Sequence, residues 1–434
     1  MLDPACECGA RGCPEYASLS RRRFMQLSAS AAAIAAATPA WLPRVSLARD
    51  HRGSQRDVVI SIFLRGAADG LSFVPPHGEN LYYTNRPTLA VPRPDSGLDN
   101  RAIDLDGFFG VAAPMAPLIP AYQAGKLLIV HATGSTDPSR SHFDAQRFME
   151  VGRANDVSLN TGWLGRHLMS VAPMDNAAIL RAVGISSGLQ RTLVGSPDAL
   201  PIPDLDAFGL AGNASSVAAR SATIETMYES VEDPVRAAGL TTLSTIDLLN
   251  QIDFAGYVPA GGAVYPAGNL GLALKSTAAL VKAQVGVEAI AIDVSGWDTH
   301  NAQGTLGGVL AGLMGTLANA LGAFHTDVIE GGGPSVTLVC MSEFGRRLEE
   351  NGSAGTDHGH GNCMFVLGNC VAGGRVLSQW PGLAPDQLFQ GLDLEVTIDY
   401  RDILAEIVDR RLGNPDLATV FPGYTPTFRG ITSC

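Results

Sequence analysis

Two acid-and-histidine clusters stand out in this chain, Asp298-Thr299-His300 and Asp357-His358-Gly359-His360, with Glu343 between them. Imidazole nitrogen and carboxylate oxygen together are the donor set of a divalent metal centre. The residues before each cluster say how it would be positioned. Ala289-Ile290-Ala291-Ile292-Asp293-Val294 runs into Ser295-Gly296-Trp297-Asp298, and Val336-Thr337-Leu338-Val339-Cys340-Met341 runs into Ser342-Glu343-Phe344-Gly345. Short apolar, β-branched runs closed by glycine read as buried strands of a parallel sheet. In such sheets the loops past the carboxyl ends of the strands form the ligand crevice. Asp298, His300, Glu343, Asp357, His358 and His360 are therefore expected at a metal site, with zinc, calcium, manganese and magnesium all open.

The same logic extends upstream. Asp57 to Leu64 reads as the first buried strand, and it leads into Arg65-Gly66-Ala67-Ala68-Asp69-Gly70. Asp69, held between residues that let the backbone turn sharply, is a further candidate ligand, although Asp-Gly is also a plain turn. Lys126 to His131 reads as the second strand and is followed by Ser135-Thr136-Asp137-Pro138-Ser139-Arg140-Ser141-His142-Phe143-Asp144. Ser141 with Asp144 three residues on resembles a capping box, which predicts a helix running to about Met149. A hydroxyl at a helix N-terminus beside Arg140 suits an anion, and next to a metal it suits a nucleophile. Ser141 is equally well explained as an N-cap alone.

Helical patterns over 268–284, 306–329 and 397–412 alternate with these strands, and Met364 to Gly368 is a further strand. This alternation predicts an α/β three-layer sandwich, with a large, mostly parallel sheet between helices. Residues 186–266 thin in apolar content and gain Pro and Gly, which predicts an inserted, cap-like segment. There is no internal repeat, P-loop or dinucleotide fingerprint.

The chain has 434 residues, 46% hydrophobic, with a formal net charge of −12. That balance argues against non-specific nucleic-acid binding and against an anionic membrane surface. Residues 1–48 read as an address: Arg21-Arg22-Arg23-Phe24 precedes an Ala-rich stretch and a small-residue end at Ser46-Leu47-Ala48. This is the order of a twin-arginine (Tat) signal, and its apolar part is too short for a spanning helix. The mature chain, 49–434, is expected in the periplasm or outside the cell, with the Tat translocon as its partner during export and no transmembrane segment. Of seven cysteines, Cys6, Cys8 and Cys13 lie in the leader, and Cys363–Cys370 is one pairing open to the rest.

Together, these motifs make the chain resemble a bacterial exported family known as a domain of unknown function, number fifteen-oh-one. The resemblance rests on Leu64-Arg65-Gly66-Ala67-Ala68-Asp69-Gly70-Leu71, Ser139-Arg140-Ser141-His142-Phe143, Trp297-Asp298-Thr299-His300, Ser342-Glu343-Phe344-Gly345-Arg346 and Thr356-Asp357-His358-Gly359-His360-Gly361. That family in turn looks like a distant branch of the alkaline phosphatase and sulfatase superfamily. The likeness implies a bimetal site at the strand ends and a Ser or Thr nucleophile, here Ser141 or Thr136. It also implies Arg140 on the anionic group, Asp69 as the first metal-binding Asp, and His358 or His360 as the late histidine. Phe344 stands where most superfamily members have a histidine ligand. The expected function is a metal-dependent hydrolase of small phosphate or sulfate esters; the alternative is a catalytically silent exported binding or scaffold protein on the same fold.

Overall fold

Alternation of side chains builds the central sheet. In Val58–Arg65 (β1), Ile60, Ile62 and Leu64 fall in one apolar cluster, while Val59 and Phe63 fall in another. A strand buried on both faces must be covered by a layer on each side. The computed structural model describes residues 56–434, so the leader with Cys6, Cys8 and Cys13 lies outside the described residues.

The other strands of the sheet are Leu127–Gly134 (β2), Ala182–Ile185 (β3), Ala199–Pro201 (β4), Ala289–Ser295 (β5), Val336–Ser342 (β6), Asn362–Gly368 (β7), Arg375–Leu377 (β8) and Ile398–Asp399 (β9). Their order is β8-β2-β7-β6-β1-β5-β3-β4, with β9 also paired to β2. Only β7 runs antiparallel to its neighbours; every other pairing is parallel. The fold is therefore a three-layer α/β sandwich around a mixed, mostly parallel sheet.

Each face buries its own helices. Leu274 and Ala278 of the Asn269–Ala283 helix join Ile60 and Ile62, as do Leu310, Met314 and Leu317 of Val309–Phe324. On the opposite face, Trp163 and Leu164 of Trp163–Ser170 pack with Ile403, Leu404 and Ile407 of Tyr400–Arg410. Fully buried side chains such as Ile60 and Ile62, both 0% exposed, each contribute roughly 1.5–3 kcal/mol by leaving water. Val309–Glu330 is the one helix among the described residues long and apolar enough to cross a membrane, and half of that stretch is buried within the protein.

Register brings the functional loops level. Arg65 of β1 pairs with Ser295 of β5, and Leu64 with Ser342 of β6. The first residue of β7, Asn362, lies beside Thr133 at the end of β2. The exits of β1, β2, β5 and β6 thus share one edge with the entry to β7.

Within the 186–266 stretch the chain separates into two units. Residues 209–247 form a compact unit of their own, while 186–208 and 248–266 belong to the main unit. Within 186–208 lies β4, a strand of the main sheet, whose three residues are too few to give a periodic signal. Cys370 pairs with Cys434 rather than with Cys363, which is buried and free like Cys340. The cause is local: Cys363 is held in β7 within the core, whereas Val371 bridges to Thr432 and draws Cys370 to the chain end.

Candidate metal centre

Four segments deliver one cluster. The loop after β5 carries Asp298 and His300. A two-stranded ribbon after β6, Arg346–Glu350 with Thr356–His358, carries Asp357 and His358. The His142–Val151 helix after β2 begins with His142, and Glu343 follows β6 directly. Arg346, wholly buried, ties these exits together through the carbonyls of Gly66, Ala67, Trp297 and Thr356 and the carboxylate of Asp298, the last at 2.6 Å. Gly66 is required here, because at φ +115° a Cβ would stand 2.7 Å from the Asp298 amide.

Three imidazoles converge on Asp298. Oδ1 lies 3.1 Å from Nε2 of His300 and 3.3 Å from Nε2 of His358, and Oδ2 lies 3.6 Å from Nε2 of His142. Nε2 of His300 and Nε2 of His358 are 2.9 Å apart. On the far side of each ring, Nδ1 meets an acceptor: Glu343 Oε1 at 2.8 Å for His142, Asp357 Oδ1 at 3.1 Å for His300, and the Arg140 carbonyl at 2.9 Å for His358. An acceptor at Nδ1 selects the Nδ1–H tautomer, so all three rings turn their Nε2 lone pairs inward. The 2.9 Å contact between the two Nε2 atoms is satisfied either by a proton on one ring or by a cation between them. His142 Nε2 is moreover buried without any hydrogen-bond partner. Among the described residues, His142, Asp298 and His358 each place a ligand atom within 4.8 Å of the others, so these three could hold a metal ion, with His300 beside His358. The cluster is open on one side, with the Asp298 side chain 47% exposed and His300 35%.

Its electrostatics are those of ionised acids around imidazoles. Burial alone would raise Glu343, but bonds from His142, Gln146 and Gly66 outweigh it and hold the carboxyl below its ordinary range. Burial likewise opposes ionisation of Asp298, and the Arg346 guanidinium overrides it. The Asn351 side chain is the main cause that keeps Asp357 low. The Glu343 bond raises His142, whereas burial and the neighbouring His142 lower His358.

The remaining expected residues stand elsewhere. Asp69 is wholly buried in a bidentate pair with Arg86 at 2.6 and 3.0 Å, and also accepts from Ser72 and Gln303, which leaves no coordination face. Glu343 and Asp357 sit one shell out, as orienting partners of His142 and His300. His360 stacks on Phe389 with ring centroids 3.8 Å apart and takes no part in the cluster. Ser141 is the N-cap of the His142–Val151 helix, its Oγ accepting from the Asp144 amide. Thr136 lies exposed. The Arg140 guanidinium is bound to Asp393 and Gln390, and only its carbonyl reaches the cluster.

The family described as Protein of unknown function (DUF1501) matches residues 56–419, which include every loop of this cluster. The chain belongs to that family. A search of curated proteins finds no match.

Proposed function

We propose that this member of the family is an exported, metal-dependent hydrolase of phosphate or sulfate esters, its metal held by His142, His358 and Asp298, with His300 beside them. The observation that carries the reading is the inward convergence of three imidazole Nε2 atoms, each ring fixed from behind by an acceptor. Two imidazole nitrogens with one carboxylate oxygen favour zinc or another first-row ion over calcium or magnesium. Such an ion would supply Lewis-acid polarisation of an ester oxygen and activation of the nucleophile near neutral pH.

The protein's own groups do the rest. Glu343 and Asp357 hold the rings of His142 and His300 in place, and Arg346 fixes Asp298. The open side of the cluster admits an anionic group. Solvent is the nucleophile that this arrangement favours, because the Ser141 hydroxyl serves the helix cap and Thr136 faces outward. The likeness to the alkaline phosphatase and sulfatase superfamily, the twin-arginine leader and the periplasmic or secreted location belong to the same proposal.

The test is metal content by mass spectrometry of protein from the exported fraction, with turnover of an aryl phosphate and an aryl sulfate by wild type and by His142→Ala. Stoichiometric metal, with metal and turnover both lost in the variant, supports the reading. Metal without turnover of either ester turns the protein into a binding or scaffold component. Absence of metal, even after incubation with zinc, overturns the proposal.

A further inference from the structure

The last stretch of the chain, 421–434, is strapped down by bonds that involve no sulfur. Asp402 and Glu406 lie one turn apart on the Tyr400–Arg410 helix and are 1% and 3% exposed. Glu406 accepts from four successive backbone amides, those of Arg429, Gly430, Ile431 and Thr432, at 2.6, 3.0, 2.7 and 3.3 Å. Asp402 accepts from the Thr427 amide and the Tyr424 hydroxyl, each at 2.7 Å, and from the Arg429 guanidinium. Hydrogen bonds to an ionised carboxylate are among the strong ones. Phe421 and Ile431, both fully buried, add an apolar anchor at either end of the strap.

This seating brings two cysteines together. The Ile431 carbonyl accepts from the Ala372 amide and the Cys370 carbonyl from the Ser433 amide, both at 2.8 Å. Arg411 donates to the Cys434 carbonyl at 2.7 Å and to Asp57, which precedes β1, at 2.8 Å. The Cα atoms of Cys370 and Cys434 thereby stand 5.3 Å apart, within the span that a disulfide needs. Cys434 is exposed and open to an oxidant. Cys340 and Cys363 are buried in the core, where burial pushes their thiols up and leaves them inert. In an unfolded chain all four would be reachable, and wrong pairs would compete with the native one.

We propose that the Cys370–Cys434 disulfide is a lock closed after folding: the strap seats while both residues are thiols, the native fold forms reduced, and oxidation follows. In that step Sγ of Cys370 bonds to Sγ of Cys434. The two protons and two electrons pass to the disulfide of a thiol oxidant, which becomes a dithiol. The lock stands at the edge of the sheet opposite the metal cluster, because β7 enters at the cluster's edge and ends two residues before Cys370. Closing it therefore leaves the metal ligands as they are. The order of events rests on this geometry and not on the hydrolase reading. The export reading only supplies two compartments, a reducing one for folding and an oxidising one for closure.

The experiment uses the full chain prepared under a phosphine reductant and then oxidised with glutathione disulfide. Reduced protein, oxidised protein and Cys434→Ser should share one near-ultraviolet circular dichroism spectrum and one metal content. Oxidation should join Cys370 to Cys434 alone, read by peptide mass spectrometry after alkylation, and raise the thermal midpoint by on the order of 5 °C. Hydrogen exchange reads the strap itself. In Cys434→Ser the Ile431 and Thr432 amides should exchange roughly a hundredfold more slowly than in the unfolded chain, and in Glu406→Ala at least tenfold faster than in Cys434→Ser. If Glu406→Ala fails to fold, the exchange in Cys434→Ser carries the test alone. Reduced protein or Cys434→Ser without the native spectrum overturns the proposal. So does oxidation at Cys340 or Cys363, or strap amides that lose their protection when only the sulfur is removed.

Discussion

His142 shows what a single residue can hide. It stands next to Ser141, whose capping-box position draws attention to the hydroxyl rather than to the ring. The available signal was a histidine at the first position of a helix that follows a strand's carboxyl end. Asp298, His300 and His358 were visible from their spacing after two apolar runs. Asp69 was visible as an acid past the first strand, but nothing local reveals that Arg86, seventeen residues on, folds back to take both its oxygens. Glu343 carries the clearest expectation at this scale. Glu343→Gln removes the negative charge from the oxygen at which three donors now point, which weakens the bond that orients His142. Metal affinity should fall about 10–100-fold, as is usual when an outer partner of a ligating histidine is changed. Competition with a chromogenic chelator measures it, and an unchanged affinity would remove Glu343 from the site.

Among the elements, the helix His142–Val151 separates two accounts of Ser141. As an N-cap whose Oγ accepts from Asp144, Ser141 contributes about 1 kcal/mol to stability. Ser141→Ala should therefore lower the urea midpoint modestly and keep ester turnover within a few-fold of wild type. Abolished turnover with stability intact would instead make its hydroxyl the nucleophile. The central elements were legible because their sequences are long and periodic: β1, β5 and β6 and the helices 269–283 and 309–324 all fall where the apolar patterns place them. The ribbon Arg346–Glu350 with Thr356–His358 was not, because its alternation is masked by charged residues that bond inward, Arg346 above all. Chain direction was also hidden in part, since the apolar run of β7 reads the same whichever way it crosses the sheet.

At the scale of the whole molecule, buried histidines make stability depend on pH. His131 in β2 donates from Nε2 to the Val74 carbonyl and accepts at Nδ1 from the Ala132 amide, so it must be neutral. Burial pushes its pKa down to about 4, and burial with Arg140 takes His360 to about 4 as well. A folded value below the unfolded one means the unfolded chain binds more protons, so stability is complete above about pH 6.5 and lost as pH falls toward 4. His131 alone should remove on the order of 2 kcal/mol between pH 7 and pH 5. The raised His142 works with the opposite sign in metal-free protein, which is why His131→Gln is the useful comparison: its loss over that interval should be smaller than that of wild type. Equal slopes in urea titrations at pH 7 and pH 5 would refute the assignment.

The position of β1 also governs when this protein can begin to exist. Its two partners are β5 and β6, and Val59 meets Ala289 in register. At typical synthesis rates of about 5–20 residues per second, the 230 residues from 59 to 289 take roughly 10–50 s to make. Throughout that interval a strand apolar on both faces has no neighbour to pair with. Such distant pairing is slow, and it exposes the nascent chain to aggregation. A twin-arginine exit, which carries proteins already folded, would suit a chain whose middle strand is made first and paired only late.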